Sequence, residues 1–107
     1  MTKARQVSAK AYERLDLSPG EEHGLRADLA RQIVARLESE ALTQTAAAER
    51  LGISQPDVSR MLSGNFRQFS VERLMRFLVA LGQDIEIRVH PAETGPSKGA
   101  RITVTAG

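Results

Sequence analysis

Gln55 and Arg60 are the two side chains of this sequence best suited to reading the edges of bases. A glutamine amide presents a donor beside an acceptor, the pair that an adenine edge offers, and an arginine guanidinium forks onto a guanine edge or a phosphate. A well-formed bidentate contact of this kind discriminates by roughly 1–3 kcal/mol. Both residues lie in the run SQPDVSRML, residues 54–62. A helical period there turns Val58, Met61 and Leu62 inward and leaves Gln55, Pro56, Asp57, Ser59 and Arg60 exposed. Asp57 sits awkwardly beside a polyanion. It either accepts from a cytosine amine or pairs with Arg60 three residues on and holds that guanidinium in place, and the second role is favoured.

These side chains need a short helix that holds them at the surface, and the flanking residues supply one. Thr43 is suited to cap a first segment with Ala47, Ala48 and Leu51 on one side; Ser54 is suited to cap the second, with Pro56 in its first turn, where a missing amide costs nothing. Small Ala48 lets the two segments approach, Gly52 supplies the backbone freedom of a tight turn, and Ile53 joins the apolar side of the second segment. Gly64 ends it. Leu42 to Gly64 therefore reads as a helix-turn-helix, a device that places its second helix in the DNA major groove. Two unrelated short helices joined at a glycine would look similar, but both the spacing and the polar identities oppose that reading.

At 107 residues the chain is expected to be one domain with extensions, with no room for a second, catalytic domain. Its apolar content of 41% supports a small core, yet 4% aromatic residues and no Trp require that core to be built from Leu, Ile, Val, Met and Ala, which suits a helical bundle. The formal charge of +2 permits an acidic partner without demanding one. Its distribution is more telling: between Glu49 and Arg76 stand Arg50, Arg60, Arg67, Arg73 and Arg76 against Glu49, Asp57 and Glu72. With no cysteine there is no disulfide, thiolate zinc site or thiol nucleophile. His23 and His90 stand alone, without the paired ligands a metal needs, and read as surface histidines. No catalytic triad, Gly-rich phosphate loop or convergent acid pair is visible. The expectation is a non-enzymatic protein with no metal and no cofactor. Neither a signal-peptide run nor a span of about 18 apolar residues is present, so a soluble, cytoplasmic protein is expected.

Three regions are expected along the chain. Residues 1–17 read as a flexible arm with Tyr12, Leu15 and Leu17 as its bulky anchors. Residues 18–82 form the helical domain. Ser18-Pro19-Gly20-Glu21 combines an N-cap, an early Pro and a capping-box Glu, and Leu25, Leu29, Ile33 and Leu37 then recur every four residues beside Val34, predicting a helix to about Ser39 or Ala41. Arg26, Asp28, Arg31, Gln32, Arg36 and Glu38 mostly face water on this reading. After the loop Asn65 to Phe69, Ser70 caps a helix with the stripe Val71, Leu74, Met75, Leu78 and Leu81, closed by Gly82. Phe66, Phe69 and Phe77 complete one core. Residues 83–107 form an extension in which the period becomes two: Ile85, Ile87 and Val89 alternate with polar residues and predict a strand ended by Pro91. A polar connector leads to a second alternation, Arg101 to Thr105, which either folds back as a hairpin or pairs across a dimer.

The motif resembles the XRE family of phage-repressor-like regulators, through T-Q at the start of the first helix, A-x-x-L-G-I at the turn and S-Q-x-x-V-S-R-x-L-x-G along the second. The resemblance implies a mainly α, phage-repressor-like bundle with short C-terminal β-strands, in which the first motif helix lies over the DNA backbone and the second enters the groove. Gln44 matches the glutamine that in phage-repressor relatives holds the backbone and braces the reading glutamine, which implies a phosphate contact. In the family the loop after the motif runs along the backbone, so Asn65, Arg67 and Gln68 are candidate phosphate donors; a solvated polar loop is the alternative. Pro56 replaces a residue that is often polar in relatives, which removes part of the family's reading set. For Arg73 and Arg76 an ordinary helix face is expected.

The run GNFRQFSVERLMRFLVALGQDIEIRVHP further resembles HigA-type antitoxins, in which a helix ending F-L-x-A-L-G-x-D leads into a short strand. This extends the resemblance to about Tyr12–Pro91. It is looser upstream, where Arg14 and Asp16 depart from the acidic and glycine residues often seen. Such proteins dimerise, repress their own operon and bind a ribonuclease toxin of the RelE or HigB type. What the resemblance implies is a homodimer on a palindromic operator in double-stranded DNA, with half-sites about 34–36 Å apart. Ile85, Ile87 and Val89 are the expected dimer contact, and intramolecular pairing with Arg101 to Thr105 is the alternative. A repressor without a toxin partner, and a protein-binding module that has lost DNA, are the competing readings.

Overall fold

A computed structural model describes residues 19–92 and 102–106. The arm at 1–17, the cap at Ser18 and most of the connector lie outside the described residues. The described chain forms α1 (Pro19–Ser39), α2 (Gln44–Leu51), α3 (Gln55–Leu62) and α4 (Val71–Ala80). The four-residue recurrence becomes one buried stripe on α1, with Leu25, Leu29, Ile33 and Leu37 all in the core. That stripe packs along α4, which offers Val71, Leu74, Phe77 and Leu78, while α2 packs against α3. Smaller contacts of α1 with α3 and of α2 with α4 close one core around these faces.

The starts of α2, α3 and α4 are each made by the residue that local chemistry requires. Thr43 Oγ1 accepts from the Ala46 amide at 3.1 Å, Ser54 Oγ from Asp57 at 3.2 Å and Ser70 Oγ from Arg73 at 3.1 Å. Each cap satisfies one amide that the first turn leaves without a helical partner. The ends share a different device. Beyond each helix the chain turns left-handed, and the next amide reaches back five residues: Leu42 to Leu37, Ile53 to Ala48, Asn65 to Arg60 and Gln83 to Leu78. The turning residue is glycine after α2, α3 and α4, but after α1 it is Ala41, at φ 54. Gly52, at φ 72, makes the turn between the two motif helices.

The aromatic residues are few and all three phenylalanines are buried. The rings of Phe69 and Phe77 meet edge to face, 5.2 Å between centroids and 82° between planes. Arg73 places its guanidinium over both, 5.1 and 5.5 Å from the centroids. No polar or charged residue among those described is buried. Arg50 ties the end of α1 to that of α4, with Glu40 at 3.4 Å and the Ala80 carbonyl at 3.3 Å, a cation where a helix C-terminus favours one.

Two positions and the C-terminal segments differ from the sequence reading. Leu62 is 40% exposed and sits on the rim, so Val58 and Met61 carry the inward face of α3. Arg26 is half-buried, with its Nε donating to the Phe69 carbonyl at 2.9 Å. Among the described residues no β-ladder forms: 83–92 and 102–106 run without strand pairing. Val104 packs on the helical core and Ile87 is 74% exposed, so the two alternating segments do not make a hairpin within the described chain. The physical reason is that period-two alternation specifies which face is apolar but not which strand lies alongside, and a lone strand cannot satisfy its own amides.

Candidate nucleic-acid interface

Helix α3 holds the recognition candidates because two forces fix it at opposite ends. Val58 and Met61 anchor it in the core, at 1% and 2% exposure, while the Ser54 cap and Pro56 set its first turn. Gln55, Pro56 and Arg60 are exposed, and Asp57 and Ser59 are half-buried at the flank. Arg60 Nη1 lies 2.6 Å from Asp57 Oδ1, the ion pair the three-residue spacing favoured. The pair ties the guanidinium of Arg60 to the first turn of its own helix. It also neutralises a carboxylate at a surface where a polyanion would otherwise be repelled.

Gln44 is the first residue of α2, exposed directly after the Thr43 cap. Its side chain and that of Gln55 are not bonded to each other. Beside Gln44 a shallow cleft of about 170 Å³ is lined by Leu42, Ala47, Val58 and Leu62, so the start of α2 sits over the body of α3. The loop after α3 begins with Asn65, whose backbone amide closes α3 on the Arg60 carbonyl at 2.8 Å. Asn65, Arg67 and Gln68 are all exposed.

The arginines after the motif separate cleanly by partner. Arg76 pairs with Glu72 at 2.8 Å, and Arg73 lies over the two phenylalanine rings, so both serve their own helix face. Arg67 has neither a carboxylate nor a ring partner among the described residues. Its loop is held from behind. Arg26, on α1, bonds the Phe69 carbonyl and is itself held by Glu22 at 2.6 Å, while Phe69 bonds the Phe66 carbonyl at 3.1 Å. The Glu22 and Arg26 spacing of four is legible in the sequence as a helix pair. Its reach to a loop carbonyl 43 residues away is not.

No helix among the described residues is long and apolar enough to cross a membrane, and no group of three or more His, Cys, Asp or Glu gathers there to hold a metal.

A capped two-helix unit joined at a left-handed glycine, with an amide and a braced guanidinium on the exposed side of its second helix, defines a DNA-binding helix-turn-helix regulator. Comparison with known proteins agrees. The family described as "Helix-turn-helix domain" matches residues 11–90. A solved structure described as an XRE-family transcriptional regulator is 41% identical and superposes with a TM-score of 0.78, the match covering 84% of this chain and 100% of that one. No curated protein matches the chain. The chain belongs to the helix-turn-helix family and, within it, to the XRE-type regulators.

Proposed function

We propose that the protein is a sequence-specific repressor that binds a palindromic operator as a homodimer and autoregulates its own operon. The observation that carries this reading is the pairing of Asp57 with a surface-lying Arg60 on the same exposed helix as Gln55. In this reading α3 enters the major groove. Gln55 reads an adenine edge, and Arg60, oriented by Asp57, reads a guanine, with Pro56 and Ser59 packed against the groove wall. Gln44 at the start of α2, with Asn65 and Arg67 beyond α3, contacts phosphates on either side and sets the register of the helix. Two copies present two such helices to half-sites one turn apart, and Ile85, Ile87 and Val89 supply the contact between copies.

The run from Gly64 to Pro91, with its resemblance to HigA-type antitoxins, supports a second role: neutralising a RelE- or HigB-like toxin encoded beside this protein. A stand-alone repressor is the alternative. Co-expression with the adjacent reading frame separates them, because a small basic protein that co-purifies supports the antitoxin and a neighbour that does not bind favours the simple repressor.

DNA binding itself is tested by titrating the protein's own promoter and random duplex at several salt concentrations, with wild type and Arg60→Ala. Wild type is expected to prefer the promoter and to weaken with salt as counterions are released. Arg60→Ala is expected to lose about 5- to 150-fold on the promoter, the equivalent of one bidentate base contact. Equal affinity of the wild type for promoter and random DNA would sink the assignment of Gln55 and Arg60 as readers.

A further inference from the structure

Among the described residues, the segment after α4 finds no backbone partner. Exposure climbs along its apolar side from 38% at Ile85 through 74% at Ile87 to 92% at Val89. Among the described residues, no backbone amide from Asp84 to His90 bonds to a backbone carbonyl. On the opposite side Glu86 and Arg88 share one face, with Arg88 Nε 3.0 Å from Glu86 Oε2, as residues two apart in an extended chain must. Both are largely exposed, at 72% and 79%.

We infer that this segment pairs antiparallel with its own copy in a second chain, in a register centred on Ile87. The inference rests on the homodimer reading above and adds the register to it. A two-fold axis at Ile87 sets Ile87 opposite Ile87 of the second copy and Ile85 opposite Val89, so every apolar residue meets an apolar residue on one face. On the other face Glu86 falls opposite Arg88 twice, and Asp84 falls opposite His90. Opposite charges directly across a strand pair stabilise it, and like charges destabilise it. The in-register parallel arrangement fails this condition, because it sets Glu86 against Glu86 and Arg88 against Arg88. Shifting the antiparallel centre by one residue, to Glu86 or Arg88, sets two like charges against each other at the axis. The sequence around Ile87 is thus self-complementary in one arrangement, as a two-fold interface requires.

The absence of cysteine from the chain makes the register directly readable. Residues directly opposite in an antiparallel pair have Cα atoms about 4.5–5.5 Å apart, within disulfide reach. Ile87→Cys is therefore expected to form a covalent dimer in an oxidised glutathione buffer. Ile85→Cys and Val89→Cys should each stay uncrosslinked alone, their own copies being roughly 13 Å apart, but crosslink when mixed. Glu86→Arg and Arg88→Glu should each weaken the dimer on the order of tenfold by sedimentation, and the double variant should restore it. A wild type that sediments as a monomer defeats the homodimer reading and the register together. A dimeric wild type whose Ile87→Cys form does not crosslink, or whose double charge swap is no better than either single, overturns the register alone. A chain that stays monomeric until a second protein is added assigns the strand edge to that protein instead.

Discussion

The guanidinium of Arg60 rests 2.6 Å from the carboxylate of Asp57, one turn earlier on α3, so a negative charge stands inside the surface proposed to face DNA. On the proposed reading, what it offers DNA recognition is the position in which it holds Arg60, because its charge alone opposes binding. The carboxylate also sits in the first turn of α3, where a negative group is favoured by the helix dipole. Replacing Asp57 with Asn removes the repulsion and the brace together. Affinity for random duplex is expected to rise a few-fold, while preference for the operator falls by about tenfold, within the range of one bidentate contact. Parallel titrations on operator and random DNA check this. A variant that gains equally on both would show Asp57 to be an electrostatic cost with no positioning role.

Arg67 differs from the other arginines around the motif in having no carboxylate or ring beside it among the described residues. On the proposed reading, a cation on the loop next to α3 without such a partner neutralises a phosphate. Arg67→Ala is expected to weaken operator and random binding by similar factors. The slope of log affinity against log salt should fall by about one for each copy bound. A loss confined to the operator would make Arg67 a base reader instead.

What could be read from the sequence was what depends on neighbours in the chain. Thr43, Ser54 and Ser70 cap helices because each cap answers only to amides three residues on. The stripe of Leu25, Leu29, Ile33 and Leu37 is buried because its period is that of the helix itself. Arg26 escaped the reading because its partner, the Phe69 carbonyl, is 43 residues away and is a backbone group that every residue carries. Periodicity points Leu62 inward, but Met61 beside it in the same turn takes the buried position, and Leu62, about 100° further round the helix, falls on the rim. The alternation around Ile87 stated a face and left the pairing partner open, and no ladder forms among the described residues.

Arg26 should matter to both stability and DNA binding, through one contact. Its Nε bond to the Phe69 carbonyl fixes the end of the loop that presents Arg67 and Gln68, and Glu22 holds it in place. Removing a charged donor from a half-buried carbonyl costs about 1–2 kcal/mol. Arg26→Ala is expected to lower stability by that amount in urea and to weaken operator binding by a smaller factor. Arg26→Lys, which keeps the charge but lacks the fork that serves Glu22 and Phe69 at once, should recover only part of the loss. If Arg26→Ala unfolds at the wild-type midpoint, the tether does not stabilise the loop.

Among the described helices, Ala41 occupies the one end where the shared closing turn lacks a glycine. Its φ of 54 puts it in the left-handed region, while the Leu42 amide completes the turn on the Leu37 carbonyl at 3.1 Å and the Leu42 side chain packs on the core. A Cβ in that conformation costs roughly 1 kcal/mol, a strain absent for glycine. Ala41→Gly is expected to stabilise the domain by up to about 1 kcal/mol and to raise its Tm by several degrees, with α1 otherwise unchanged. Gly52→Ala is the reciprocal change. No atom lies within 4 Å of where its Cβ would stand, so the whole expected loss of about 1 kcal/mol comes from the backbone at φ 72. Thermal unfolding of the two variants measures the same backbone preference from opposite sides. Changes of opposite sign and similar size would assign it to the turn geometry, whereas a destabilised Ala41→Gly would mean that the entropy glycine adds to the unfolded chain outweighs the strain relieved at the turn.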